Sequence, residues 1–285
     1  MFGIVDLLNS STKITFEKVK QLRKIRPKRI CFNSSHSNAL KSINIPGNSA
    51  KWALSIPFEN SIRKIFEKET GLSIYKTNSG RFWCPMSKAE DFKKAEDFKK
   101  KYLKIVFLKD NLDCSIALSE HMLNNSDRTE IGELEYKAKY LKCKDSIDLL
   151  VNKVKDFIKS TYLYNETSVI CSVPPSINGN MNTPKRIAEK VSGLLGLTNI
   201  SDEIKWKKHK TKSLKELGLD EKWEYLEQVD MIINADISGK NIILLDDLYQ
   251  SGTTLQFVAM KLKEKGCKKV FGISIVKSRK DTDNN

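Results

Sequence analysis

The chain has 285 residues, 40% of them hydrophobic and 30% charged, and a formal net charge of +15. That length holds two modest domains or one large one. No stretch approaches the roughly eighteen apolar residues of a membrane span, and the leading Met1-Phe-Gly-Ile-Val-Asp lacks the basic flank of a signal peptide; this excludes a membrane protein and predicts a soluble, cytoplasmic one.

Six cysteines stand singly, with no C-x-x-C pair, which argues against a zinc knuckle and a secreted disulfide framework. The charge is uneven: residues 1–110 carry a net +13 and residues 111–285 a net +2. Such asymmetry points to a polyanion partner, nucleic acid before membrane; a Lys-rich composition that merely clusters is the plainer alternative.

In residues 14–30, Val19, Leu22 and Ile25 fall opposite Lys20, Arg23, Lys24 and Arg26, as on a surface helix ended by Pro27. Residues 33–38 are a polar loop in which His36 has no partner at metal-ligand spacing. A small α+β module is expected over residues 51–102: a strand at 51–57, a helix at 60–70 closed by Gly71, a hairpin at 72–86 turning on Asn78-Ser79-Gly80, and a charged helix. That helix repeats Ala-Glu-Asp-Phe-Lys-Lys from Ala89 and from Ala95, which sets Phe92 and Phe98 about 120° away from sharing a face.

Ile56, Pro57, Phe58, Tyr75, Phe82, Trp83 and Pro85 give the module a pattern that resembles the short modules of HARP-type annealing helicases and the amino-terminal arms of some phage-type integrases. The resemblance implies nucleic-acid binding, branched or single-stranded, through Trp52, Tyr75, Arg81 and Trp83. The residues equally allow Trp52 and Trp83 to be core.

A strand is expected at 105–108, then a polar linker over 111–144 in which His121 has no evident partner. From Asp145 the apolar positions Ile147, Leu150, Val151, Val154, Phe157 and Ile158 have helical spacing. A strand at 168–173 enters a Pro/Ser/Gly/Asn turn, and Pro184 opens another helix. Six lysines fall within residues 205–215, too charged a run to be core.

The most informative stretch is Ile242-Ile-Leu-Leu-Asp-Asp-Leu-Tyr-Gln-Ser-Gly-Thr-Thr254. Four apolar residues form a strand buried on both faces, and Asp246 and Asp247 fall at its carboxyl end, where open α/β sheets bind ligands. Gln250, Ser251, Gly252, Thr253 and Thr254 then lead into a helix whose amino end can hold an anion. A strand at 270–276 completes a βαβ unit, and residues 281–285 are a polar tail.

This stretch resembles the phosphoribosyl diphosphate (PRPP) motif of type I phosphoribosyltransferases, and residues 145–280 are most similar to the ComF-type, competence-associated members. They differ in carrying Asn182-Thr-Pro-Lys-Arg186 where that group has R-G-F-N-Q, and in lacking its paired cysteines. The resemblance implies an α/β fold, a parallel sheet flanked by helices, preceded by the small basic α+β domain. It implies that Asp246 and Asp247 take the ribose hydroxyls, directly or through Mg2+ brought with PRPP, and that Gln250, Ser251, Gly252, Thr253 and Thr254 take the 5′-phosphate. By position, Ser176, Ile177, Asn178, Gly179 and Asn180 would bind diphosphate, and Lys210, Lys212 and Lys215 would lie on a mobile loop.

Two functions are compatible with these residues: an enzyme that transfers or removes a phosphoribosyl group in a nucleic-acid context such as DNA uptake, repair or defence, and a non-catalytic PRPP or nucleotide sensor tethered to nucleic acid. A second copy of the chain or a protein partner fits either.

Overall fold

The computed structural model describes residues 13–175, 182–208, 210, 214 and 217–279. A seven-stranded sheet organises the chain: β1 (Arg29–Cys31), β6 (Val106–Leu108), β7 (Cys114–Glu120), β13 (Lys269–Lys277), β12 (Asn241–Tyr249), β8 (Val169–Ser172) and β9 (Thr198–Asn199), in that spatial order. The five strands from β7 to β9 are parallel, while at one edge β6 pairs antiparallel with β7 and β1 antiparallel with β6. β12 is longer than its apolar run, since it carries both acids and ends at Tyr249.

Strand alternation sorts the sheet's side chains into two cores. Ile243 and Leu245 face α4 (Glu130–Tyr140), α5 (Lys144–Ser160) and α6 (Thr183–Leu195), whereas Ile242 and Leu244 face α1 (Phe16–Lys24), α7 (Leu219–Val229) and α8 (Thr253–Glu264). Helices thus cover both faces, which explains why β12 reads as a continuous apolar run. On the second face Phe16 stacks on Trp223 at 5.2 Å, and Trp223 meets Phe257 edge-on at 5.5 Å. Among the described residues, no helix is long and apolar enough to cross a membrane.

A separate four-stranded antiparallel sheet has the order β2 (Leu40–Ser42), β3 (Trp52–Ile56), β5 (Phe82–Met86), β4 (Tyr75–Lys76). α2 (Arg63–Thr70) and α3 (Ala89–Lys101) cover one of its faces. Gly71 closes α2 with φ of 71°, and Gly80 turns the hairpin with φ of 78°, the left-handed conformation expected of both. The six-residue repeat separates its phenylalanines as the helical period requires: Phe98 is buried against Phe66 and Tyr102, while Phe92 packs on Trp52.

Two expectations need correction. Residues 111–144 are not a linker, because they supply β7 within the main sheet and α4 over its end. The serines of Cys-Ser-Ile-Ala-Leu-Ser obscured the strand; Ser115 and Ser119 are buried, with Ser115 satisfied by the Asp110 carboxylate at 2.6 Å. Nor does the sheet begin at residue 145, since β1 and β6 come from the basic amino-terminal part. At the start of the basic run, Lys205, Lys207 and Lys208 are exposed, as their charge suggests. Trp206, in β10 (Ile204–Trp206), is buried, and β10 pairs with β11 (Met231–Ile233) in a small sheet.

Candidate functional site

From β8 the chain moves outward to β9 through α6; β12 then pairs on the other side of β8 and leads to β13. A crevice opens at such a reversal, outside the carboxyl ends of the strands. Asp246 and Asp247 close β12 at that crevice, and the turn at residues 250–252 carries the chain into α8. Gly252 has φ of 73°, and a Cβ there would lie 2.3 Å from the Tyr249 ring. The ring has little room to yield, because Tyr249 is buried and its hydroxyl donates to Asp110 at 3.2 Å. Glycine is therefore required by the turn and by Tyr249 beneath it.

The first-turn amides of α8 have no helical partners and point into this crevice with the helix dipole behind them, an arrangement suited to an anion. Ser251 and Thr253 hydroxyls lie 3.0 Å apart, and Arg23 of α1 donates to Thr253 Oγ1 at 3.3 Å. Asp246, Asp247 and residues 250–255 line a cleft of about 150 Å3 together with Lys139, Leu214 and Lys222. On the far side of Asp247 and Lys139 lies a second cavity of about 390 Å3, lined by Ala138, Lys142, Asn182, Thr183 and Arg186. Asn182 caps α6 there by accepting from the Lys185 amide at 2.9 Å.

Four charged residues at this site were not legible in the motif. Lys139 Nζ donates to Asp247 Oδ2 at 2.5 Å and lies 3.7 Å from Glu135. Burial works against its charge, but Asp247, with Glu135 adding to it, holds the ammonium above the ordinary lysine range. Burial pushes the Glu135 carboxyl up to about 7, with the Asp247 charge adding to the effect. Lys222 of α7 is 6% exposed, and burial brings its ammonium down to about 8, helped by the charge of Arg23. Arg23 itself reaches the cleft's turn from a helix more than two hundred positions earlier in the chain.

Lys210 was anticipated, and it lies 3.5 Å from the centre of the Trp206 ring, where burial lowers it to about 7 against the pull of Asp246. Burial and the neighbouring Asp247 charge push the Asp246 carboxyl well up. His121, without a partner in the sequence reading, stands 3.8 Å from Glu135. Ser176, Ile177, Asn178, Gly179, Asn180, Lys212 and Lys215 lie outside the described residues.

The residues do not fit a Mg2+ ion held by the protein alone. Asp247 Oδ2 is occupied by Lys139, Asp247 Oδ1 accepts from the Leu248 amide at 2.8 Å, and Asp246 Oδ1 accepts from the Asp247 amide at 3.0 Å. No group of three or more His, Cys, Asp or Glu side chains suited to a metal occurs among the described residues.

The expected aromatic patch divides between two faces. Cys84 and Met86 are buried under the helices and Phe82 packs on the same core, so Trp83 between them faces outward. Trp83 pairs directly with Tyr75, which is 54% exposed, and Arg81 two residues earlier shares the outer face. Lys41 lies on that face too, opposite Ala53. Trp52 belongs to the other side: it shares a face with the buried Leu54 and Ile56 and packs on Phe92 at 5.3 Å. Its expected place beside Trp83 is thus corrected by register.

No protein-family model and no curated protein matches the chain. Among solved structures, it is similar to an adenine phosphoribosyltransferase from Leishmania tarentolae, at 11% identity over 58% of this chain and 91% of that one, with a TM-score of 0.34. A hypoxanthine phosphoribosyltransferase from Staphylococcus aureus also matches, at 12% identity over 49% of this chain and 68% of that one, with a TM-score of 0.30.

Proposed function

We propose that the cleft binds a phosphorylated ribose, such as PRPP or a nucleoside monophosphate, and that the protein transfers or removes a phosphoribosyl group. The observation that carries this reading is the juxtaposition of Asp246 and Asp247 with the amino end of α8 across one cleft. The carboxylates accept from the ribose hydroxyls, and the amides and hydroxyls of Ser251, Gly252, Thr253 and Thr254 take the 5′-phosphate, with Lys222 supplying positive charge. Gln250 lines the same wall.

With PRPP, a nitrogen nucleophile forms the new bond to C1 while the C1–O bond to diphosphate breaks and its electron pair leaves with the diphosphate. The acceptor nitrogen loses its proton to solvent. Lys142 and Arg186 line the cavity next to Asp247, where they would meet a leaving anion, and Lys210 would add charge from the Trp206 side. Any Mg2+ brought with PRPP would supply further positive charge there, beside that of Lys142, Arg186 and Lys210. Such a site works through positioning and electrostatics.

The outer face of the four-stranded sheet gives this activity a nucleic-acid context. Tyr75 and Trp83 offer stacking surface, and Arg81 and Lys41 offer phosphate contacts. Calorimetry with PRPP tests the cleft: wild type binds, and Asp247→Asn binds at least about tenfold more weakly, a loss of about 1.4 kcal/mol. Equal binding by both proteins would remove the acidic pair from the site.

A further inference from the structure

We infer that Lys139 is the built-in counter-cation of the acidic pair, so that a ribose 5-phosphate enters this cleft without any divalent ion. The inference rests on reading the cleft as a phosphoribosyl site and concerns how its charge is balanced. Three of the four carboxylate oxygens of Asp246 and Asp247 have donors within the chain, and the donor to Asp247 Oδ2 is the Lys139 ammonium at 2.5 Å. A divalent ion on Asp247 would have to displace that ammonium. The like charges would repel, and Lys139 would be left with Glu135, 3.7 Å away.

Lys139 is held in this place by the backbone of the fold. Thr129 caps α4 by accepting from the Gly132 amide at 2.9 Å, and its hydroxyl donates to the Glu120 carbonyl at 2.6 Å. Gly132 lets the helix press on the end of β7, since a Cβ there would sit 2.2 Å from the His121 carbonyl oxygen. The His121 amide in turn donates to the Lys277 carbonyl at 2.8 Å, which ties that end of β7 to β13. One turn before Lys139 on the same helix face, Glu135 is buried and braces the ammonium from behind. A surface lysine that happened to reach an acid would have none of this support.

An ammonium also suits the ligand. It carries three donors, so it can hold Asp247 and Glu135 and still offer one N–H to a ribose hydroxyl. It stands at the boundary between the 150 Å3 cleft and the 390 Å3 cavity, lining both. The same side chain therefore contacts the sugar on one side and extends the positive field of Lys142 and Arg186 on the other.

The test is calorimetry of ribose 5-phosphate, which has no diphosphate to carry a metal, on the full chain in EDTA and in excess Mg2+. Wild type is expected to bind with affinities within about twofold of each other in the two media. Lys139→Ala is expected to lose about tenfold or more in EDTA and to regain much of that in Mg2+, because removing the ammonium opens Asp247 to the ion; a structural defect would show no metal rescue. Wild-type binding that falls about tenfold or more in EDTA would overturn the inference while leaving the phosphoribosyl reading intact. Absence of binding in both media would remove that reading and the inference with it. The wild-type comparison decides even if Lys139→Ala fails to fold.

Discussion

The cleft at the carboxyl end of the main sheet and the outer face of the four-stranded sheet are both rich in charge, yet they are built in opposite ways. In the cleft the charged groups are engaged inside the protein: Lys139 on Asp247, Arg23 on Thr253, Tyr249 on Asp110. On the outer face Tyr75 and Arg81 are exposed, and the half-buried Trp83 lies between its strand partners Tyr75 and Ser55. A cross-linked polar site is preorganised for one ligand geometry, whereas an exposed aromatic and basic face tolerates many. Substitutions in the cleft should therefore disturb binding and stability together, and substitutions on the face should disturb binding alone.

The largest effect expected is at Gly252. Gly252→Val forces a β-branched residue to φ of 73° and drives its Cβ into the Tyr249 ring. Urea unfolding should show a loss of about 2–4 kcal/mol, and ribose phosphate binding should vanish. Unchanged stability would mean that Tyr249 swings away freely and that the turn is not cross-linked.

Next comes the pair of tryptophans. Trp52→Ala removes a ring packed on Phe92 and should cost about 2–4 kcal/mol in stability. Trp83→Ala should leave the melting midpoint nearly unchanged and lower single-stranded DNA affinity by about 1–3 kcal/mol for each base stacked on the ring, a loss that persists at high salt. If the two variants exchanged these phenotypes, the face assignment would be inverted.

The smallest effect concerns pH. Lys222 is charged below about 8 and neutral above it, so its help to a 5′-phosphate is present at pH 7 and fades through pH 8 to 9. The sign for folding is the reverse: its folded value lies below the unfolded one near 10.5, so this group's contribution to stability rises with pH between about 8 and 10.5. Lys222→Met should flatten both profiles, as calorimetry and thermal melts across that range would reveal.

The parts of the cleft that the sequence reveals are those that are contiguous. Asp246, Asp247 and residues 250–254 sit on one strand, turn and helix start, so their order along the chain is already their order in space. Lys139, Lys222, Glu135 and Arg23 come from α4, α7 and α1, and only the packing of these helices on the sheet brings them to the acids. β7 was hidden because its buried serines look like loop residues until Asp110 and the Ser61 hydroxyl are seen to satisfy Ser115. The tryptophans could not be sorted without register, since alternation tells which residues share a face and not which face is covered.

The most direct test of the central claim is amide hydrogen exchange across the whole chain with and without ribose 5-phosphate. The amides of residues 251–255 should slow on ligand addition, because the phosphate caps the first turn of α8, while those of residues 75–86 should not change. Protection that spared residues 251–255, or that appeared only on the four-stranded sheet, would contradict the claim that this cleft is where a phosphorylated ribose binds.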